Sequence, residues 1–167
     1  EEYEAFINSY EQEKSLGLRV NTLKTTLDQF ETLNKFDLKS IPWVPEGYFY
    51  QQADRPGKHP YHESGVYYIQ EPSAMSVGTF VEAVPGEKVL DLCAAPGGKS
   101  THVASQLQQE GLLITNEIYP QRAKILSQNI ERMGIKNAVV VNESPQKLAK
   151  HFPSYFDRIV VDAPCSG

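Results

Sequence analysis

Asp162 and Cys165 stand three residues apart in Asp-Ala-Pro-Cys-Ser-Gly (162–167), a carboxyl and a thiol just past an apolar run. Carbon 5 of a pyrimidine is a poor nucleophile. Thiolate addition at carbon 6 makes it enamine-like and able to attack a sulfonium methyl. A neighbouring carboxyl can protonate or hydrogen-bond the ring during that addition. Release then needs loss of the carbon 5 proton and expulsion of the thiol. Cys165 reads equally well as a small buried apolar side chain, the usual fate of a free cysteine. Its meaning depends on what lies beside it.

A second constellation supplies that neighbour. Val89-Leu90-Asp91-Leu92-Cys93-Ala94-Ala95-Pro96-Gly97-Gly98-Lys99-Ser100-Thr101 runs from an apolar strand through a loop of small residues into a helix. That order brings backbone N–H groups and a helix N-terminus up to a ligand. Gly98-Lys99-Ser100-Thr101 imitates the end of a P-loop, but Cys93 stands where its first glycine should be and would crowd a phosphate turn. The dinucleotide pattern G-x-G-x-x-G fails as well, with Ala95 and Ser100 replacing its first and third glycines. An adenosyl group without a polyphosphate remains. Asp91 closes the first strand, and Glu117 ends the second, 20 residues after Gly97, the offset of a ribose-binding acid. Taken singly, Glu117 is a solvated acid and Gly97-Gly98 a tight turn. At the ends of consecutive strands they make a ligand site.

The elements that must carry these residues are legible in the hydrophobic spacing. Strands are expected at 88–93, 112–117, 138–142 and 158–162, with helices at 98–109, 120–133 and from Pro145. Ala123, Leu126, Ile130 and Met133 share one helical face, which Gly134 closes. Alternating strands and helices predict a parallel sheet with right-handed crossovers, and a carboxyl edge that binds ligand. The buried run at 158–162 delivers Asp162 and Cys165 to that edge, beside Cys93 if the strand order is the usual one. Cys93 itself reads mainly as packing. At the start of this domain (72–167), Pro72 opens a helix whose Ala74, Val77, Val81 and Val84 recur at 3, 4, 3 spacing.

Residues 1–71 read as a small α+β module. Tyr3, Phe6 and Tyr10 keep helical spacing, ended by Gly17. Leu18 to Leu23 alternates like a strand. Thr25 and Asp28 open a helix carrying Leu27, Phe30 and Leu33, broken by Pro42 and Pro45. Short strands follow at 48–51 and 66–70, with a polar loop over 52–64. Tyr48, Phe49, Tyr50, Tyr67 and Tyr68 are aromatics of a core before they are stacking platforms for bases. Arg55, Lys58 and His59, with the Tyr61 loop, are candidate phosphate contacts. His59 and His62 lack a cysteine cluster, so no metal site is expected.

The chain has 167 residues, 40% hydrophobic and 22% charged, with a formal net charge of −5. That balance excludes a generally basic nucleic-acid coat while allowing a local groove. Two cysteines make no disulfide framework, which points to a reducing, cytosolic setting. No apolar run reaches the roughly 20 residues of a membrane span. Without an initiating Met, and stopping just past a strand-like run, the sequence reads as a fragment.

With both constellations in place, the chain resembles the Nol/Nop/Sun family of S-adenosylmethionine-dependent RNA 5-methylcytosine methyltransferases. The likeness covers about residues 65–167, including Glu117 and Arg122, and more loosely Arg19-Val20-Asn21. It implies a Rossmann-like class I methyltransferase fold, with helices on both faces of the sheet, behind an RNA-recognition-motif-like or ferredoxin-like module. By the same likeness Cys93, Ala94, Ala95, Pro96, Gly97, Gly98 and Lys99 line S-adenosyl-L-methionine, and Glu117 holds its ribose. Asp162 lies between donor and cytosine, with Lys99 near the reacting centre. The family's covalent nucleophile is a second cysteine in a Thr-Cys motif, expected past Gly167, while the cysteine matching Cys165 assists product release. The fragment alone would then bind donor poorly and not turn over. One position departs: the family's adenine-side Asp after the third strand is Ser144 here. The implied partner is RNA, ribosomal RNA first and transfer RNA as the family's other substrate. Two further readings stay open: a catalytically silent RNA-binding or assembly protein that keeps the pocket, and a nucleotide-phosphate binder.

Overall fold

Two four-stranded sheets of opposite character organise the computed structural model, which describes residues 2–10 and 14–163. The first is wholly antiparallel, in the order β2 (Lys39–Ile41), β3 (Val44–Phe49), β1 (Gly17–Val20), β4 (Tyr67–Ile69). Helix α2 (Leu27–Leu33) joins β1 to β2, and the short α3 (Pro60–Glu63) lies between β3 and β4. This β-α-β-β-α-β order is the expected ferredoxin-like arrangement. Leu18, Val20, Tyr48 and Tyr67 meet Phe30 of α2 in one core.

Several local expectations fail here, each for a tertiary or turn-level reason. Helix α1 (Glu2–Ser9) stops well before Gly17, which begins β1 instead. Strand β1 does not alternate between core and solvent, because all four of its residues, Arg19 included, are buried. The cap of α2 is Thr26 rather than Thr25: its hydroxyl accepts from Gln29 N–H, and Gln29 Oε1 accepts from Thr26 N–H. Pro42 turns a hairpin instead of merely ending a helix, and Pro45 sits inside β3, so the strand expected at 48–51 is really Val44–Phe49. The 52–64 loop contains two 3₁₀ turns (Gln52–Asp54 and Pro56–Lys58) besides α3.

The second sheet is wholly parallel, in the order β7 (Ala138–Val141), β6 (Leu112–Asn116), β5 (Lys88–Asp91), β8 (Arg158–Val160). Helices α5 (Gly98–Leu107) and α6 (Pro120–Met133) bury Val103, Leu107, Leu126 and Ile130 against Val89, Leu113 and Val160. On the opposite face Leu148 of α7 (Pro145–His151) packs on Leu90 and Ile114. Helices on both faces of a parallel sheet make this the expected Rossmann-like architecture. The chain runs outward from β5 to β7 and then returns to β8 on the other side of β5, so the direction of winding reverses beside β5. Open α/β sheets bind ligands at that reversal. The strand at 158–162 is shorter than expected and is an edge among the described residues, leaving Ile159 and Val161 exposed.

Helix α4 (Pro72–Val81) lies between the two sheets and packs on α5, β3 and β1. Its buried residues are Pro72, Met75 and Gly78, while Val77 and Val84 are exposed, so the 74-77-81-84 face is not the one it buries. A Cβ at Gly78 would fall 2.2 Å from His102 Nδ1, so glycine is what lets α4 and α5 approach. Two sheets claiming one helix outweigh the spacing of its valines.

Candidate functional site

Strand β5 ends at Asp91, and the next residues turn across the sheet's carboxyl edge. The Ala95–Pro96 peptide is cis. Gly97 then caps α5 at φ +116°, a left-handed value that an L side chain rarely adopts, and a Cβ there would meet Leu126 Cδ1 at 3.2 Å. The loop is tied from behind by α6: Arg122 donates to Ala95 O at 2.8 Å and Asn129 to Pro96 O at 2.8 Å. Ala94 N–H donates to Asn116 O, and Asn116 Nδ2 to Leu92 O, so β5 and β6 end in fixed register.

In front of this loop lies a cavity of about 720 Å³. The loop contributes Cys93, Ala94, Ala95, Pro96, Gly98 and Lys99, the segment after β6 contributes Glu117, Ile118 and Tyr119, and α6 contributes Arg122. Asp162 and Ala163 border it past β8. Gly97 shapes the turn from beneath without lining the cavity. The remaining wall belongs to Tyr68, Ile69, Gln70, Glu71 and Ala74, at the junction of β4 and α4. Sequence reasoning missed this wall, since only tertiary docking brings residues 68–74 to a loop 20 or more positions away.

The charged groups fall into two clusters. Lys99 Nζ and Asp162 Oδ2 pair at 2.5 Å. Beneath them the Asp91 carboxyl is buried and accepts from Ser100 Oγ at 2.6 Å, and its Oδ1 has no partner among the described residues. Burial raises its pKa despite the Ser100 hydrogen bond. Burial also raises the Cys93 thiol, with the carboxylates of Asp91, Glu117 and Asp162 adding to the effect. A thiol held protonated suits packing, not nucleophilic attack. At the far end, Glu117 is buried, accepts from Tyr119 N–H at 3.0 Å and faces Arg122 Nη1 at 3.4 Å. Lys99, Glu117 and Asp162 thus meet around one cavity.

Ser144, at the departing position, caps α7 by accepting from Lys147 N–H, so its hydroxyl is engaged in starting a helix. Cys165 lies outside the described residues. Among the described residues no cluster of His, Cys, Asp and Glu could hold a metal, and no helix is long and apolar enough to cross a membrane. The residues present fit S-adenosyl-L-methionine: a cavity of nucleoside size with an acid at one end, a small-residue loop, and an unpartnered buried carboxylate oxygen beneath it.

Comparison with known proteins agrees with this architecture. A crystal structure of a methyltransferase homolog protein from Pyrococcus horikoshii superposes with a TM-score of 0.81 at 32% identity, covering 94% of this chain and 52% of that one. NSun6 from Pyrococcus horikoshii, solved with SFG, shares the fold at TM-score 0.79 and 19% identity, covering 91% and 63% of the two chains. Ribosomal RNA small subunit methyltransferase F of Enterobacter sp. (strain 638) is 36% identical over 174 residues, and that of Serratia proteamaculans (strain 568) 38% over 170. They match 99% and 97% of this chain, which spans 36% of the length of each. Residues 1–72 match the N-terminal domain of 16S rRNA methyltransferase RsmF, and residues 79–167 match the 16S rRNA methyltransferase RsmB/F model. The glycine turn, the paired acids and the parallel sheet that presents them therefore have one common explanation: the chain belongs to the 16S rRNA methyltransferase RsmB/F family.

Proposed function

We propose that this chain carries the donor site of an S-adenosylmethionine-dependent methyltransferase that forms 5-methylcytosine in RNA, with small-subunit ribosomal RNA as its substrate and the cytoplasm as its compartment. The observation that carries the reading is the Lys99–Asp162 pair lining the same cavity as Glu117. The donor supplies a methyl group on a positively charged sulfur. Glu117 would hold the donor's ribose, and its link to Tyr119 N–H keeps the carboxylate in place. Asp162 meets the cytosine, hydrogen-bonding the ring as a cysteine thiolate adds to carbon 6. Lys99, paired with that carboxylate, keeps it aimed. Cys165, three residues further on, assists release, and the adding thiolate comes from a cysteine outside residues 1–167.

A cysteine placed beside the acid, where an amino-group methyltransferase would carry an aromatic residue, favours carbon over nitrogen as the acceptor. The test is methyl transfer by the intact protein to small-subunit ribosomal RNA, with products resolved by nucleoside analysis. We expect 5-methylcytidine from the wild type, a loss of about a thousandfold or more in Asp162→Ala, and an RNA–protein adduct in Cys165→Ala. A methyl group on nitrogen, or full activity in Asp162→Ala, would sink the proposal. Calorimetry with S-adenosylhomocysteine against ATP separates it from a phosphate-binding site, and preference for ATP would overturn it.

A further inference from the structure

Arg19 is fully buried, carries a positive charge, and belongs to neither cluster of charges around the cavity. From β1 of the antiparallel sheet it crosses to the first turn of α5. Its Nη2 donates to Gly98 O at 3.1 Å and to Thr101 Oγ1 at 2.8 Å, and that hydroxyl itself donates to Gly98 O at 3.1 Å. Gly98 and Lys99 follow the glycine that turns the loop into the helix, so the guanidinium grips the turn from the side opposite α6. Burying a cation is costly unless charge and hydrogen bonds compensate. Glu46 of β3 supplies the charge, and burial lowers the Arg19 pKa only to about 10, so the group stays protonated. Nε and Nη1 find no partner among the described residues. A chain that merely needed to fill this space would do better with an apolar residue.

Two residues on, the same strand holds a different helix. Asn21 Nδ2 donates to Met133 O at 2.9 Å and to Gly65 O at 2.8 Å, closing the end of α6. Val20, between them, faces the module's own core. Arg19 and Asn21 thus make two separate contacts with the catalytic unit, one at the donor loop and one at the C-terminal end of α6.

We infer that Arg19 is a positioning residue for the donor site: it fixes the Gly98 carbonyl and the first turn of α5, and so the placement of the 97–99 bend and of Lys99 against Asp162. The inference rests on the donor reading given above. Small displacements of groups that hold reactants cost large factors in rate and affinity. A role confined to interface stability would make Arg19 and Asn21 interchangeable; a positioning role separates them.

The experiment compares Arg19→Met, Arg19→Lys, Asn21→Ala and Thr101→Val in the intact protein, by calorimetry with S-adenosylhomocysteine, thermal unfolding and steady-state kinetics. Arg19→Met should weaken S-adenosylhomocysteine by about tenfold or more and raise the donor KM while leaving the RNA KM unchanged. Asn21→Ala should lower the melting temperature with affinity held within about twofold of wild type. Arg19→Lys should recover part of the loss, and Thr101→Val should weaken binding without adding to Arg19→Met in the double variant. Wild-type affinity in Arg19→Met, or an equal loss in Asn21→Ala, overturns the inference. If Arg19→Met does not fold, Thr101→Val decides: unchanged affinity there overturns it. Wild-type protein that binds no S-adenosylhomocysteine refutes the donor site itself, a result distinct from either.

Discussion

The two sheets have the same number of strands and use them in opposite ways. The parallel sheet, covered on both faces by its own helices, puts its chemistry at one end, where Asp91, Glu117 and Asp162 follow successive strand ends. The antiparallel sheet would ordinarily offer a free face, and in RNA-recognition modules bases stack on aromatics there. Here that face is spent on the other unit. Val44 and Ile41 pack on Met75 of α4, Tyr68 joins the core of the parallel sheet, and Arg19 reaches α5. Tyr48 and Tyr67 are buried on the opposite face. A module with a familiar RNA-binding topology therefore serves as a wall and brace for a neighbouring pocket. The module's 3₁₀ loop, by contrast, leaves Arg55 and Lys58 exposed to solvent.

If the module braces the pocket, damage to its own core should reach the donor. Phe30→Ala, which empties the centre of the α2 core, should cost about 3–5 kcal/mol. Donor affinity, read by S-adenosylhomocysteine calorimetry across a denaturant series, should fail with it. Survival of donor binding after the module melts would make the two units independent. Damage from the other side is narrower. Gly97→Val forces a β-branched residue to φ +116° against Leu126; we expect a cost of about 1–3 kcal/mol and loss of donor binding, while the module keeps its hydrogen-exchange protection.

Two smaller effects sharpen the contrast. Thr26→Ala removes a capping box on the module's outer face and should cost about 1 kcal/mol in denaturant unfolding with unchanged donor affinity. Near neutrality the smallest effect belongs to the seam, where His102 Nε2 meets Glu46 Oε1 at 2.7 Å. Burial, together with the Arg19 charge, lowers the His102 pKa below 6.5. Burial pushes Glu46 upward, but the His102 hydrogen bond and the nearby positive charge bring it below 4.5. Both groups bind protons more readily when unfolded, so stability is full above about pH 6.5 and declines on acidification. The decline starts with His102 and continues through Glu46. His102→Gln should flatten the upper part of that profile in pH-dependent melting; an unchanged slope would count against a neutral, buried imidazole at the seam.

Much of the parallel half was legible because its signals are local. Runs such as Lys88–Asp91 and Leu112–Asn116 are short and apolar, Gly134 ends α6 where the spacing stops, and the glycine turn with its acid 20 residues on has a mechanical meaning. The antiparallel half was harder. Its three-residue strand β2 carries too little pattern to read, and Pro45 sits inside a strand, whereas β4 falls within the expected 66–70. Val77 of α4 keeps helical spacing yet is exposed, because Met75 and Gly78 answer to two sheets at once.

The order of the residues by itself determined the class of fold, the bend that receives a ligand and the acids beside it, since turn chemistry and strand ends are set by near neighbours. Tertiary structure alone decided that residues 68–74 close the cavity and that Arg19, which reads as the solvent side of a strand, is buried against Gly98 and Thr101. The Arg19 contacts span about 80 positions of chain. No local periodicity encodes them; they exist because burying both faces of the antiparallel sheet stabilises the pair of units more than leaving one face in water.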